Sequence, residues 1–149
     1  MRHILVVDDE AAICEILQMG LEHDGTCRVT CTATADEAMA VVQNDRPDAA
    51  VIDAVLQRES GLILARDVVA LDVPVLVTSG EPGHQQRLRD ADCYFLPKPF
   101  AISQLLVETR RLLDEAADRK ALLAAGLDRL LHPGREGARV ALGLPATQG

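Results

Sequence analysis

The sequence predicts an α/β fold: a doubly wound, five-stranded parallel sheet with helices on both faces. Three observations predict it. First, short apolar runs recur at His3–Val7, Cys27–Cys31, Ala49–Ile52, Val73–Val77 and Cys93–Leu96, most of them rich in Val or Ile. Runs without apolar–polar alternation are strands buried on both faces, which is the pattern of a parallel sheet. Second, stretches with helical periodicity separate these runs, giving a βα repeat of roughly 20–25 residues whose economical solution is right-handed crossovers. Third, aromatic residues make up only 2% of the chain, so packing rests on Val, Leu, Ile and Ala, which suits a small sheet covered by helices.

The helices follow in order. Ala11–His23 places Ile13, Ile16, Leu17 and Leu21 on one face, and Gly25 follows as a stop signal. Thr34–Asn44 opens with Thr34 and Glu37 in capping-box spacing and ends before Pro47. Ser60–Leu71 carries Leu62, Ile63, Ala65, Val68 and Val69, while His84–Asp90 is short and polar. The last helix begins near Ala101, sets Ile102, Leu105, Leu106, Leu112 and Leu113 on one side, and keeps its pattern to Leu131. Pro133, Gly134, Gly137 and Gly143 then break it, so residues 132–149 read as a disordered tail. At 149 residues the chain therefore divides into one domain over residues 1–116 and a helical extension with its tail over residues 117–149. The spacing of Ile102, Leu106, Leu113, Ala116, Leu123, Leu127 and Leu130 allows a homodimer seam through this helix. Thr109, Lys120 and Gly126 interrupt that seam, and a last helix folded back on its own domain is the plainer reading.

Composition narrows the function. The formal net charge is −8, with 48% hydrophobic and 26% charged residues: enough for a core, and a surface that argues against direct nucleic acid binding. Residues 116–149 are mildly basic, so the acidity lies in the first 115. Cys14, Cys27, Cys31 and Cys93 form no CxxC pair and have no His at ligand spacing. Cys27 and Cys31 on one strand would stand about 13 Å apart, too far for one ion. All four are expected to be small buried hydrophobes in a reducing cytoplasm. No signal peptide is visible, since Ile4–Val7 runs at once into Asp8-Asp9-Glu10, and no stretch is long enough to span a membrane.

In a doubly wound sheet, function gathers at the carboxyl ends of the strands. There the sequence places Asp8, Asp9 and Glu10, then Asp53, then Thr78 and Ser79, then Lys98 between Pro97 and Pro99. Taken singly, each has an ordinary reading. The acidic run can cap a helix, Asp53 and Thr78-Ser79-Gly80 can be turn chemistry, and Lys98 can be a solvated charge. Together on one rim they form crowded carboxylates whose mutual repulsion is relieved by a hard divalent cation. Mg²⁺, with oxygen ligands and retained water, fits that role. Lys98 and Thr78 would stabilise a transferring phosphoryl group, and Asp53, alone on its strand end, is the natural nucleophile.

From Arg2 to about Glu115 the chain resembles the receiver domains of two-component response regulators, which have a flavodoxin-like fold. The resemblance lies in Ile-Leu-Val-Val-Asp8-Asp9-Glu10, Ala-Val-Ile-Asp53, Val-Thr78-Ser79-Gly80 and Phe-Leu-Pro-Lys98-Pro99-Phe100, with Gly61 eight residues past Asp53. It implies a phosphoacceptor Asp53, and Mg²⁺ held by Asp9, Asp53 and the backbone carbonyl of Val55, with Asp8 acting mostly through water. It implies phosphoryl contacts from Thr78 and Lys98, a cis Lys98–Pro99 peptide, and a switch pairing Thr78 with an aromatic. Counting back three from Lys98 puts Phe95 at the switch position, with Tyr94 beside it. The partners implied are a sensor histidine kinase or histidine phosphotransfer protein upstream and an unspecified protein downstream, in the cytoplasm. The module would assist its own phosphorylation without being an enzyme.

Three positions depart from the family pattern. Gln57 stands where a proline is common, and Val55 and Gly80 stand where polar side chains influence attack of water on the acyl phosphate, implying slow to moderate dephosphorylation. The extension is too short and too lightly charged for a typical DNA-binding output domain, so the chain reads as a single-domain module signalling by protein–protein contact. Two other readings compete. A haloacid-dehalogenase-like phosphatase would need an acid where Val55 stands and further acids after the lysine. A receiver that docks partners without phosphorylation would not need the full acidic set.

Overall fold

Strand β1 (Arg2–Val7) leads into α1 (Ala11–Glu22), and the alternation continues through β2 (Cys27–Thr32), α2 (Ala35–Asn44), β3 (Ala49–Asp53) and α3 (Gly61–Ala70). It closes with β4 (Val75–Ser79), α4 (His84–Asp90), β5 (Tyr94–Pro97) and α5 (Ile102–Ala124). The computed structural model describes residues 1–127. The chain divides after Asp114, within α5, into a first unit that carries the whole sheet and a second that begins at Glu115.

All strand pairs in the sheet are parallel, in the order β2-β1-β3-β4-β5. The chain winds outward from β1 to β2, then crosses back to β3 and proceeds the other way, so the topological switch lies between β1 and β3. A crevice opens there beyond the strand ends. Alternate residues of the central strands feed two apolar layers. Leu5, Val7, Ala50 and Ile52 join Ala38, Val42, Leu64, Ala65, Val68 and Leu88 from α2, α3 and α4. Ile4, Val6, Ala49 and Val51 join Leu17 and Leu21 of α1 and Leu105, Leu112 and Leu113 of α5. β1 and β3 are accordingly buried on both faces, whereas edge strand β2 alternates, with Cys27 and Val29 buried around exposed Arg28.

Local chemistry sets the element ends. Thr34 Oγ1 accepts from Glu37 N at 3.2 Å and donates to the Glu37 carboxylate at 3.0 Å, so the expected cap forms through the side-chain pair. β4 starts at Val75, two residues later than the apolar run: Pro74 has no N–H to donate, and Val73 N instead reaches back to Val68 O. The expected continuation of the last helix to Leu131 is corrected. α5 stops at Ala124, where Gly126 takes φ +72° and donates to Leu123 O while Leu127 N donates to Leu122 O. This is a Schellman closure, and it suits a glycine. Thr109, expected to interrupt the apolar seam, is fully buried with its hydroxyl on Leu105 O at 2.7 Å. Leu130 of that seam and the tail at 132–149 lie outside the described residues.

The cysteines divide into two kinds. Cys27 and Cys93 are free and buried, as expected. The expectation that Cys14 and Cys31 are small buried hydrophobes is corrected: they are half-buried and joined as a disulfide between α1 and β2, with Cα atoms 6.1 Å apart.

Gly61 starts α3 directly against the strand end, and a Cβ there would collide with the backbone carbonyl of Asp53. Gly61→Ala should therefore cost about 1–3 kcal/mol in urea unfolding through forced backbone displacement. Gly83→Ala, where no atom lies within 4 Å of the added carbon, should change stability by less than about 0.5 kcal/mol.

Candidate functional site

The switch-point crevice brings the carboxyl ends of β1 and β3 side by side. β1 ends at Val7, paired with Ile52, and the next residues are Asp8 and Asp9; β3 ends on Asp53. One carboxylate oxygen from each of Asp8, Asp9 and Asp53 falls within 4.8 Å of the others. Asp53 is almost fully buried, Asp8 is half-buried and Asp9 is exposed, so the cluster runs from the sheet end out to solvent.

Each acid is held differently. Asp53 Oδ1 accepts the N–H of Val55 at 3.1 Å, and its Oδ2 lies 3.0 Å from Lys98 Nζ. Asp8 Oδ1 accepts the N–H of Glu10 at 2.8 Å, a local turn that aims the carboxylate. Glu10 occupies the N-cap of α1 but makes no side-chain cap bond. The acidic run therefore does not cap the helix in the ordinary way.

The backbone N–H of Lys98 donates to Ser79 O at 2.8 Å, which fastens the residue to β4 beside Asp53; the Lys98–Pro99 peptide is cis, as the family resemblance implied. Thr78 is the register partner of Asp53 across β3 and β4 and is buried. Both residues lie within their strands, not just past them.

Val55 bridges Ser60 in a short antiparallel contact, and the residue is 59% exposed. Phe95 does not enter the acidic cluster. It pairs with Val77 and packs against the layer that contains α3 and α4, while Tyr94 before it is half exposed. The strand alternation thus settles which aromatic faces that layer: Phe95.

Two supports have little or no mark in the sequence reading. Glu59, in the loop after Asp53, accepts the backbone N–H of Ala35 at 2.9 Å, tying that loop to the first turn of α2. Ser79 Oγ accepts the N–H of Glu81 at 3.1 Å and lies 2.6 Å from His84 Nδ1, whose Nε2 is 3.0 Å from the Glu81 carboxylate. The second arrangement has a sequence signal in Ser79-x-Glu81-x-x-His84. The first depends on a contact between residues 24 apart and has none.

Burial and neighbouring charge both act on the ionisable groups of the cluster. The Asp8 carboxyl is pushed up to about 6, first by burial and then by the negative charge of Asp53, against the opposing pull of the Glu10 N–H and Lys98. The Lys98 ammonium is raised: burial works the other way, but its hydrogen bond to Asp53 and the charges of Asp53, Asp8 and Glu10 outweigh it. Three oxygen donors converging with uncompensated charge fit a hard divalent cation such as Mg²⁺.

The family model for the response regulator receiver domain matches residues 4–110. The chain belongs to that family. Among curated relatives, the response regulator MprA of Mycobacterium ulcerans is 35% identical over 150 residues, covering 91% of this chain and 64% of that protein. MprA of Mycobacterium sp. strain KMS is 36% identical, covering 87% of this chain and 60% of that one. The chain thus spans somewhat less than two thirds of the relatives it matches. Among solved structures, a CheY-like receiver domain protein from Methanospirillum hungatei superposes with TM-score 0.72 at 26% identity, over 80% of this chain and 98% of that one. The non-phosphorylated HemR receiver domain of Leptospira biflexa gives 0.67 at 31% identity, over 76% and 94%. The fold is the flavodoxin-like receiver fold, and the domain is a receiver of two-component signalling. No described helix is long and apolar enough to cross a membrane.

The raised Asp8 carboxyl has a testable consequence. Its folded-state value of about 6 lies above the ordinary aspartate value of 3.8, so between those values the folded state binds more protons than the unfolded one. Stability contributed by protonated Asp8 is present below the lower value and is lost as pH rises through the upper. In metal-free protein Tm should fall between about pH 4 and 6 through this group, and Asp8→Asn should flatten that part of the profile. A melting series in chelator checks both, and an unchanged profile in the variant removes Asp8 as the cause.

Proposed function

We propose that this receiver accepts a phosphoryl group on Asp53, with Mg²⁺, from a sensor histidine kinase or a histidine phosphotransfer protein. The observation that carries the reading is the pairing of a nearly buried Asp53 with Lys98 at 3.0 Å, beside the converging carboxylates of Asp8 and Asp9. Asp9, Asp53 and the Val55 carbonyl would hold the metal, with Asp8 acting mostly through water. When bound, Mg²⁺ supplies positive charge between the carboxylates and the phosphoryl oxygens.

An Asp53 oxygen forms the new bond to phosphorus, and the donor's bond to phosphorus breaks with its electron pair remaining on the donor. Before transfer, Lys98 orients and partly neutralises Asp53; afterwards its ammonium faces the added oxygens. The Thr78 hydroxyl, next to Asp53 across the sheet, donates to the phosphoryl group, and the packing of Phe95 on the α3–α4 side reports its movement.

The domain assists its own modification and turns over no separate substrate. It works in the cytoplasm and passes its state to a partner protein, without binding nucleic acid through the receiver itself. Against phosphatase chemistry, the position two residues after Asp53 is an apolar, exposed Val55, not a second acid.

Incubation with acetyl phosphate and Mg²⁺ followed by intact-mass measurement tests the reading. Wild type should gain one phosphoryl group, Asp53→Asn none, and Lys98→Ala should gain it about 10²-fold more slowly. Chelation of the metal should stop labelling. No adduct on wild type, or an equal adduct on Asp53→Asn, overturns it.

With Val55 and Gly80 unable to hydrogen-bond an attacking water through a side chain, the adduct should persist for minutes or longer. A half-life of seconds contradicts that part.

A further inference from the structure

Cys14 and Cys31 belong neither to the acidic cluster nor to the fully buried layers of the core. Cys14 is the fourth residue of α1 and Cys31 the fifth of edge strand β2. Both are half-buried. Their 6.1 Å Cα separation lies within the range that a disulfide bridges without moving the backbone.

The other two cysteines provide an internal contrast. Cys27 is 7% exposed and Cys93 8% exposed, and burial, helped by Asp92, pushes the Cys93 thiol up to about 11. Such a thiol is inert at neutral pH.

The position of the bridge matters as much as its chemistry. Cys31 pairs with Val6, and its neighbour Thr32 accepts the backbone N–H of Asp8 at 3.1 Å. The segment from Asp8 to Cys14 is thus fastened to β2 at both ends, by that hydrogen bond and by the disulfide. It carries Asp8 and Asp9.

We propose that Cys14 and Cys31 are a reversible redox modification site, oxidised by a hydroperoxide and reopened by a dithiol, whose closed form braces the loop bearing Asp8 and Asp9. One thiolate attacks a peroxide oxygen; the O–O bond breaks, and the departing oxygen takes a proton to leave as an alcohol, or as water from hydrogen peroxide. The sulfenic acid so formed is attacked by the second thiolate. The S–S bond forms, the S–O bond breaks, and hydroxide leaves as water. Two thiols lose two electrons and two protons, and the peroxide gains them. A dithiol reverses the bond by exchange and becomes a disulfide itself. Bracing the loop lowers the cost of ordering its carboxylates around a cation, so the oxidised form binds Mg²⁺ about threefold to tenfold more tightly. This last clause rests on the metal site proposed above.

The test uses the full chain, reduced and then treated with hydrogen peroxide, alkylated, and digested without reductant. A peptide pair joined through Cys14 and Cys31 is expected, reversed by dithiothreitol and absent from Cys14→Ser and Cys31→Ser. Cys27 and Cys93 should alkylate only after denaturation. Free Cys14 and Cys31 after peroxide, or a bond to a different cysteine, overturns the site. Calorimetric titration of both forms with Mg²⁺ tests the bracing, and equal affinities overturn it. If neither form binds Mg²⁺, the metal reading and the bracing fall together, while the peptide masses still decide the redox site.

Discussion

Three carboxylates cannot share a small volume without something holding them there, and the molecule is arranged around that problem. Electrostatic repulsion alone would spread Asp8, Asp9 and Asp53 apart. The sheet prevents it, because β1 and β3 are hydrogen-bonded neighbours and their last residues have no freedom to separate. Buried apolar side chains on both faces of those strands fix the rim. Burial raises the Asp8 carboxyl, and the charge of Asp53 adds its repulsion. Lys98 relieves part of it from the far side, held in place by a backbone bond to β4. The hydrophobic core thus has an electrostatic role: its rigidity is what keeps like charges together.

The parts of this arrangement that sequence makes legible are those written locally. Apolar runs such as Ile4–Val7 and Ala49–Ile52 mark the strands, and the residue following each run points to the rim. Asp53, Thr78 and Lys98 can be read because in a parallel sheet every strand end points the same way. Strand alternation decides between Tyr94 and Phe95 only once the register with Val77 is known, so the sequence leaves both in view. The end of α5 is not legible because apolar spacing continues past Gly126, whereas the backbone there closes in the left-handed conformation.

Contacts between distant residues are hidden for a different reason. Glu59 on Ala35 and Cys14 with Cys31 join positions that no periodicity relates. Treating each cysteine singly as a buried hydrophobe holds where burial is nearly complete, at Cys27 and Cys93. It fails where a helix turn passes over an edge strand. Gly61 lies between these cases: its residue type fits a pattern, but the reason for it, the carbonyl of Asp53 where a side chain would go, is visible only in three dimensions.

Strand β5 is short, and it ends at Pro97, on the outer edge of the sheet. A proline offers no N–H to a further strand, and four residues give little length along which another chain could pair. The opposite edge, β2, carries an exposed Arg28 joined to Asp45 at 2.7 Å, a charge that an added strand would have to cover. Open sheet edges invite association with other chains. These two are blunted by different means, so a sheet whose rim gathers the carboxylates is closed to growth at its sides.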